Sequence, residues 1–183
     1  LTGVRYISGP GENVGADAAP PPPTRGGAPI SSTGDAATNS DATVQGLPLL
    51  KPPYGRLSAI NLDRGEIVWQ VAHGETPDSV RNHPALKGLT IPRTGQSGAV
   101  GALVTKTLVI MGDPLATTVP GRPRGAMLRA YDKTNGKEMG AVYMPAQQSG
   151  TPMTYAVNGR QFIVVPISGG NYSGEYLAFA LPR

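Results

Sequence analysis

The sequence predicts an all-β chain built from repeated antiparallel units, and three observations carry that expectation. Leu57-Ser58-Ala59-Ile60-Asn61-Leu62-Asp63-Arg64-Gly65-Glu66-Ile67-Val68-Trp69 returns 71 residues later as Leu128-Arg129-Ala130-Tyr131-Asp132-Lys133-Thr134-Asn135-Gly136-Lys137-Glu138-Met139-Gly140. Each copy reads as strand, polar turn with glycine, strand, and self-similarity at fixed offset marks a repeat architecture. Ser97-Gly98 precedes one predicted hairpin (Val100 to Gly112), and Ser149-Gly150 precedes another (Pro152 to Pro166), at an offset of 52. Two Asn-Gly pairs, Asn135-Gly136 and Asn158-Gly159, sit between runs of β-branched and aromatic residues. Asn-Gly accepts the positive φ angles of a type I′ hairpin turn at both positions.

Taken in order, Gly3 to Ser8 alternates as a short strand. Residues 9–53 then lose periodicity, and 16 of these 45 residues are Gly or Pro, including Pro20 to Pro23. Consecutive prolines favour extended polyproline II, so this segment reads either as a long surface insertion or as a docking ligand for an aromatic groove. Leu57 to Asn61 and Glu66 to Val71 form strands around the turn Leu62 to Gly65. Ala72 to Thr94 is a connection holding both histidines, His73 and His83. Val100 to Thr105 pairs with Thr107 to Gly112, and Asp113 to Gly125 is a Pro-punctuated loop. Ala126 to Tyr131 pairs with Lys137 to Tyr143, Pro152 to Tyr155 with Gln161 to Pro166, and Glu175 to Ala180 is the last strand. No segment reads as a helix. The order of four strands is complete once, across 95–143, with strands of one unit before it (1–8 and 54–71) and of another after it (149–183). A four-stranded antiparallel unit is the blade of a β-propeller. Ten strands make about two and a half blades, fewer than a closed ring needs.

Bulk properties narrow the function. The formal charge of +4 is modest, and Arg122, Arg124 and Arg129 are the one notable basic cluster. Such charges are usually solvated surface, and a nucleic-acid interface pairs a basic patch with stacking aromatics, so nucleic acid is not expected as a partner. There is no Cys, which removes disulfides and thiolate chemistry together. No apolar run reaches the roughly 20 residues that span a bilayer. The chain begins at Leu1, which predicts a fragment or a processed chain, and an incomplete ring exposes strand edges. Association with a separate chain or with further copies follows.

The C-terminal part resembles the end of the PQQ-dependent quinoprotein dehydrogenases, above all the membrane-type glucose dehydrogenases. The residues that carry this are Gly46-Leu47-Pro48-Leu49-Leu50-Lys51-Pro52-Pro53-Tyr54-Gly55, the two blade repeats, Gly150-Thr151-Pro152-Met153-Thr154-Tyr155, Asn158 to Val165, Ser168-Gly169-Gly170 and the ending Leu177 to Pro182. The resemblance implies the last blades of an eight-bladed quinoprotein propeller, with PQQ and calcium as cofactors. It implies oxidation of a sugar or alcohol, with a membrane quinone or cytochrome as acceptor. It also implies a periplasmic location, with membrane association through a segment upstream of Leu1. In that family a carboxylate base takes the substrate proton while the divalent ion polarises the quinone carbonyl. The base and main ligands lie in earlier blades, so no catalytic or metal-ligating residue is expected in this chain, and the fragment is not catalytic alone.

Two departures matter. The family tryptophan, which packs between neighbouring blades, is present as Trp69 but is Gly140 in the second copy. The family segment Pro-Asn-x-Gly-Gly is replaced by Ser97-Gly98-Ala99-Val100-Gly101. The candidate cofactor-binding residues are Gln96, Ser97 and Gly98, with Gly169, Gly170 and Asn171; the last three also suit an ordinary turn. Asp113 reads as a pocket-facing or capping residue. His73 and His83, with Glu75 and Asp78, read as surface residues rather than as metal ligands. A non-catalytic propeller scaffold for protein assembly is the competing function.

Overall fold

The computed structural model describes residues 43–180. The expected strand at Gly3 to Ser8 and most of the 9–53 segment lie outside them. Within the described residues the regular structure is all strand, apart from one turn of α-helix and one of 3-10 helix. Strands β1 (Thr43–Val44) and β2 (Leu47–Pro48) form a small hairpin. Its turn, Gln45-Gly46, has positive φ at both residues, a type I′ geometry that the absence of Asn or Asp hides from sequence. Strands β3 (Arg56–Asn61) and β4 (Glu66–Ala72) pair antiparallel. The connection after them holds α1 (Asp78–Arg81) and a 3-10 turn at Pro84–Leu86. Both correct the helix-free expectation: one turn is too short to show a 3.6-residue period.

The next sheet has four strands in sequence order: β5 (Leu103–Val104), β6 (Leu108–Gly112), β7 (Ala126–Asp132) and β8 (Glu138–Met144). The last has three, with β10 (Arg160–Gly169) between β9 (Met153–Val157) and β11 (Tyr172–Ala180). Successive antiparallel sheets of this kind are propeller blades. β5 is shorter than the sequence suggests, whereas β10 and β11 run longer, to Gly169 and from Tyr172.

The 71-residue repeat is also a repeat of irregularities. The β3–β4 register slips between Ala59 and Ile60, and the β7–β8 register slips between Ala130 and Tyr131, the same offset. Gly65 N–H donates to Asn61 O, and Gly136 N–H donates to Asp132 O. Both turn glycines have positive φ, but in the second turn Asn135 does not. Asn135-Gly136 is therefore not the two-residue type I′ turn expected of it. The loop is longer, with Asp132 Oδ1 accepting from Thr134 and Asn135 Oδ1 from Lys137 N–H. Asn158-Gly159 does fulfil the expectation, with φ of 50° and 74° between the paired Val157 and Arg160.

Side-chain alternation assigns the middle sheet to two seams. Val109 and Met111 of β6, opposite Tyr131 and Arg129 of β7, face β3–β4, where Leu57 and Val71 pack. Ile110, Ala126 and Leu128 face the other way, where Met144, Ala146, Val165 and Ile167 complete an apolar cluster. β6 is buried on both faces, which explains its unbroken apolar run. The far face of the last sheet carries Met153, Tyr155, Val157 and Tyr176, all exposed, with Tyr155 stacked on Phe162 at 5.3 Å between ring centres.

Candidate functional site

The antiparallel order brings the end of β4, the starts of β5 and β7 and the ends of β6 and β8 to one end of their sheets. The loops at that end carry Gln96, Ser97, Gly98, Asp113 and both histidines, while Gly169, Gly170 and Asn171 lie where β10 turns into β11. Gln96 is 1% exposed; its backbone N–H donates to His73 O, and its Oε1 accepts from Leu115 N–H at 3.2 Å. Gly98 lies against Pro114, close enough that a Cβ there would stand 2.5 Å from the proline Cβ. Ser97 is half-buried between them. At the last sheet, Gly170-Asn171 is the two-residue turn between β10 and β11, with Gly169 paired to Tyr172. Gly169 (φ 127°) presses on Gln147, so a side chain there would be strained by the backbone angle and would push the Gln147 amide aside.

These two groups do not touch. A series of contacts links them: Gly98 with Pro114, Gln148 N–H to Asp113 O, and Ser168 N–H to Gln147 O. The Ser-Gly echo at offset 52 extends one residue, because Gln96 and Gln148 correspond. Gln148 is fully used: its Oε1 accepts from Gly112 N–H and its Nε2 donates to Gly101 O at 2.7 Å. Gln96 Nε2 is enclosed and has no hydrogen-bond partner among the described residues.

Behind these loops lies a polar network that sequence reading misplaces. Arg129, expected on the surface, has a side chain 3% exposed. Its Nε and Nη2 fork onto Asp113 at 2.7 and 3.1 Å, Nη2 also reaches Glu75 at 2.8 Å, and Nη1 meets Glu138 at 3.2 Å. Arg93 shares Glu138 Oε2 with Arg129, and Arg81 pairs with the Glu75 oxygen that Arg129 leaves free. Three guanidinium groups thus balance three carboxylates. Burial disfavours the charge on Arg129, yet the hydrogen bond and charge of Asp113, then Glu138 and Glu75, more than offset it and hold its pKa above the usual arginine value. Asp113 also accepts from Met127 N–H, so it is a buried ion-pair partner rather than a pocket-facing group.

His73 is likewise buried, not a surface residue. Its Nε2 lies 3.0 Å from Gly112 O and its Nδ1 3.0 Å from the Tyr131 hydroxyl. A carbonyl only accepts, so Nε2 carries the proton and Nδ1 accepts from Tyr131. Burial lowers the His73 pKa from its ordinary value and pushes the Tyr131 phenol up. His83 Nε2 instead donates to Gln45 O at 2.8 Å, and its Nδ1 accepts from Ala85 N–H. Asp78 and Arg81 grip one residue of the 113–125 loop from α1, Asp78 accepting from Thr118 N–H and Arg81 donating to Thr118 O.

At the opposite end, Trp69 joins two repeats. Its Nε1 donates to Lys133 O at 3.0 Å, and its ring lies over Gly136, where a Cβ would stand 2.6 Å from the indole. At Gly140, the equivalent position, a Cβ would meet nothing.

A family model described as the PQQ glucose/ethanol/alcohol dehydrogenase β-propeller domain matches residues 12–163. The chain belongs to that family. It is 32% identical over 142 residues to quinoprotein glucose dehydrogenase A of Acinetobacter calcoaceticus, covering 75% of this chain and 16% of that protein. It is 34% identical over 145 residues to the quinoprotein glucose dehydrogenase of Escherichia coli K12, covering 75% and 17%. It is 31% identical over 149 residues to a quinate/shikimate dehydrogenase (quinone) of Acinetobacter baylyi, with the same coverage. The chain therefore spans about a sixth of the length of these relatives.

The described residues do not cradle the family's cofactors by themselves. Among them no three His, Asp or Glu side chains converge as a metal site. Arg129 is committed to carboxylates, Trp69 to a turn at the other end, and Gln96 Nε2 is enclosed. An open cavity of about 300 Å³, lined by Glu75, Thr76, Arg81, Leu89, Ile91 and Arg93, contains none of the six candidate residues.

Proposed function

We propose that this protein is the C-terminal portion of a PQQ-dependent dehydrogenase that oxidises a sugar or alcohol in the periplasm and passes the electrons to a membrane quinone or a cytochrome. The single observation that supports the reading most strongly is the family match, which runs through β3–β8 and into the last sheet as far as residue 163, rather than over one repeat. In this reading these blades complete the propeller. The apolar face of β9–β11 receives a neighbouring blade, and the loops at Gln96–Gly98 and Gly169–Asn171 form part of the rim facing the quinone. The catalytic base, the calcium ligands and the main quinone contacts come from the rest of the longer protein. Gly98 and Gly169 contribute by closeness, because a side chain at either would collide with Pro114 or Gln147. Asn171 stands exposed at the tip of its turn, in the place where the resemblance to the glucose-oxidising enzymes often puts a histidine.

A second reading, a quinone-free scaffold for protein assembly, draws on the vacant slot at Gly140 and on the changed segment Ser97 to Gly101. The deciding experiment titrates the full-length protein with PQQ and calcium and then follows dye reduction by glucose, quinate and simple alcohols. Quinone binding with substrate-dependent reduction is expected. A folded full-length protein with no affinity for PQQ overturns the dehydrogenase reading and leaves the scaffold.

A further inference from the structure

The two Asn-Gly pairs share a dipeptide but not an environment. Asn135 is held: its Oδ1 accepts from Lys137 N–H at 2.8 Å, and Gly136 N–H donates to Asp132 O at 2.8 Å. Gly136 is buried beneath the Trp69 ring. Asn158 and Gly159 are exposed, a Cβ on Gly159 would meet nothing, and both residues have positive φ in a two-residue turn. Strand β9, which leads into the turn, is exposed along its whole length. Exposed turns of this kind at a sheet margin are where local opening is least costly.

We propose that Asn158 is a site of spontaneous deamidation in the native protein and that Asn135 is protected from it. Asparagine is a thermolabile residue, and glycine is the following residue that least obstructs the reaction. The Gly159 backbone nitrogen loses its proton and attacks Asn158 Cγ. A new bond forms between that nitrogen and Cγ, the bond from Cγ to the amide nitrogen Nδ2 breaks, and ammonia leaves. Water then opens the succinimide at either carbonyl, giving aspartate or isoaspartate. The net change is addition of water and loss of ammonia, with no oxidation or reduction. The same attack at Gly136 requires loss of its hydrogen bond, release of Asn135 Oδ1 and exposure of a nitrogen roofed by an indole.

The isoaspartyl product has a consequence for the fold. It inserts one extra backbone carbon into a turn whose two residues fix the Val157–Arg160 register, and register in a hairpin is set by turn length. Modification therefore loosens β9 from β10 at the margin of the last sheet.

The test is peptide mapping by mass spectrometry after incubating the native protein in mildly alkaline buffer, beside a urea-denatured sample. Denatured protein is expected to modify both asparagines at similar rates. Native protein is expected to modify Asn158 several-fold faster than Asn135, with isoaspartate the larger product. Equal native rates, or faster modification at Asn135, overturn the proposal. So does a native Asn158 that stays intact while the denatured control reacts. Asn158→Asp, which cannot form the isoaspartyl linkage by the same rapid route, is expected to retain the β9–β10 pairing by hydrogen exchange when the aged native protein has lost it.

Discussion

The seam between β3–β4 and the four-stranded sheet is held by directional contacts, whereas the seam between that sheet and β9–β11 is held by apolar volume. The first places Arg129 among three carboxylates, His73 between Tyr131 and Gly112, and an indole over Gly136. The second places Ile110, Leu128, Met144, Val165 and Ile167 together. The two differ in what they tolerate. An apolar seam accepts repacking if its volume is kept. A buried ionic seam gains little net stability over a hydrophobic replacement, but loses heavily when one partner is removed. The polar seam therefore fixes which surfaces meet and in what register, close behind the loops proposed to face the quinone.

Arg129→Ala breaks that comparison hardest. It leaves Asp113, wholly buried, without its cation, and is expected to cost about 3–5 kcal/mol. Arg129→Lys keeps the charge but cannot reproduce a fork shared among three carboxylates, so a loss of about 2 kcal/mol remains. Chemical denaturation of the full-length protein measures both. A lysine variant as stable as the parent would show that charge, not geometry, holds the seam. In the apolar seam, Ile167→Ala is expected to cost about 2–4 kcal/mol, and Ile167→Val only about 1 kcal/mol. The graded response there, against the steep one at Arg129, is the difference between volume and direction.

The repeat itself offers a finer contrast. Gly65 and Gly136 occupy the same turn position, with φ of 66° and 73°. A Cβ at Gly65 meets nothing, while one at Gly136 meets Trp69 at 2.6 Å. Gly65→Ala is expected to cost about 1 kcal/mol from backbone strain alone. Gly136→Ala adds about 1–3 kcal/mol of overpacking. Thermal unfolding of the two variants isolates the Trp69 contact, and equal losses would mean that the indole simply moves aside.

This contrast also explains which parts are legible in the sequence. The blade strands, the repeat and the Asn158-Gly159 turn are written locally, in alternation and turn chemistry a few residues long. Arg129 and His73 are misjudged from sequence because their surroundings are supplied from far along the chain. Glu75 lies 54 residues before Arg129, and Tyr131 lies 58 residues after His73. One signal is available. Arg129 shares a strand face with Tyr131, two residues on, so once Tyr131 is placed in a seam, Arg129 must be buried there too. Gln96 reads as a cofactor residue from its loop; its counterpart Gln148 spends both side-chain polar atoms inside the fold, whereas Gln96 Nε2 has no hydrogen-bond partner among the described residues.

The smallest expected effect separates the seams by pH. Burial lowers the His73 pKa below its ordinary value of 6.5, so the folded state prefers the neutral ring that donates to Gly112 and accepts from Tyr131. Above pH 6.5 the ring is neutral in both folded and unfolded states, and its contribution is fully present. As pH falls below 6.5 the unfolded state takes up a proton that the folded state refuses, so stability declines. The decline ends once pH passes below the folded-state value, where both states are protonated. Arg129 and Arg93 face the ring and resist its protonation, while Asp113 favours it. His73→Gln, which keeps a donor for Gly112 and an acceptor for Tyr131, is expected to remove this part of the pH dependence. Denaturation midpoints of the parent and His73→Gln, measured from neutral to mildly acidic pH, should converge as pH falls. Parallel curves would mean that His73 is already as easily protonated in the folded seam as in water. Ile167→Val, which alters only the apolar seam, should run parallel to the parent throughout.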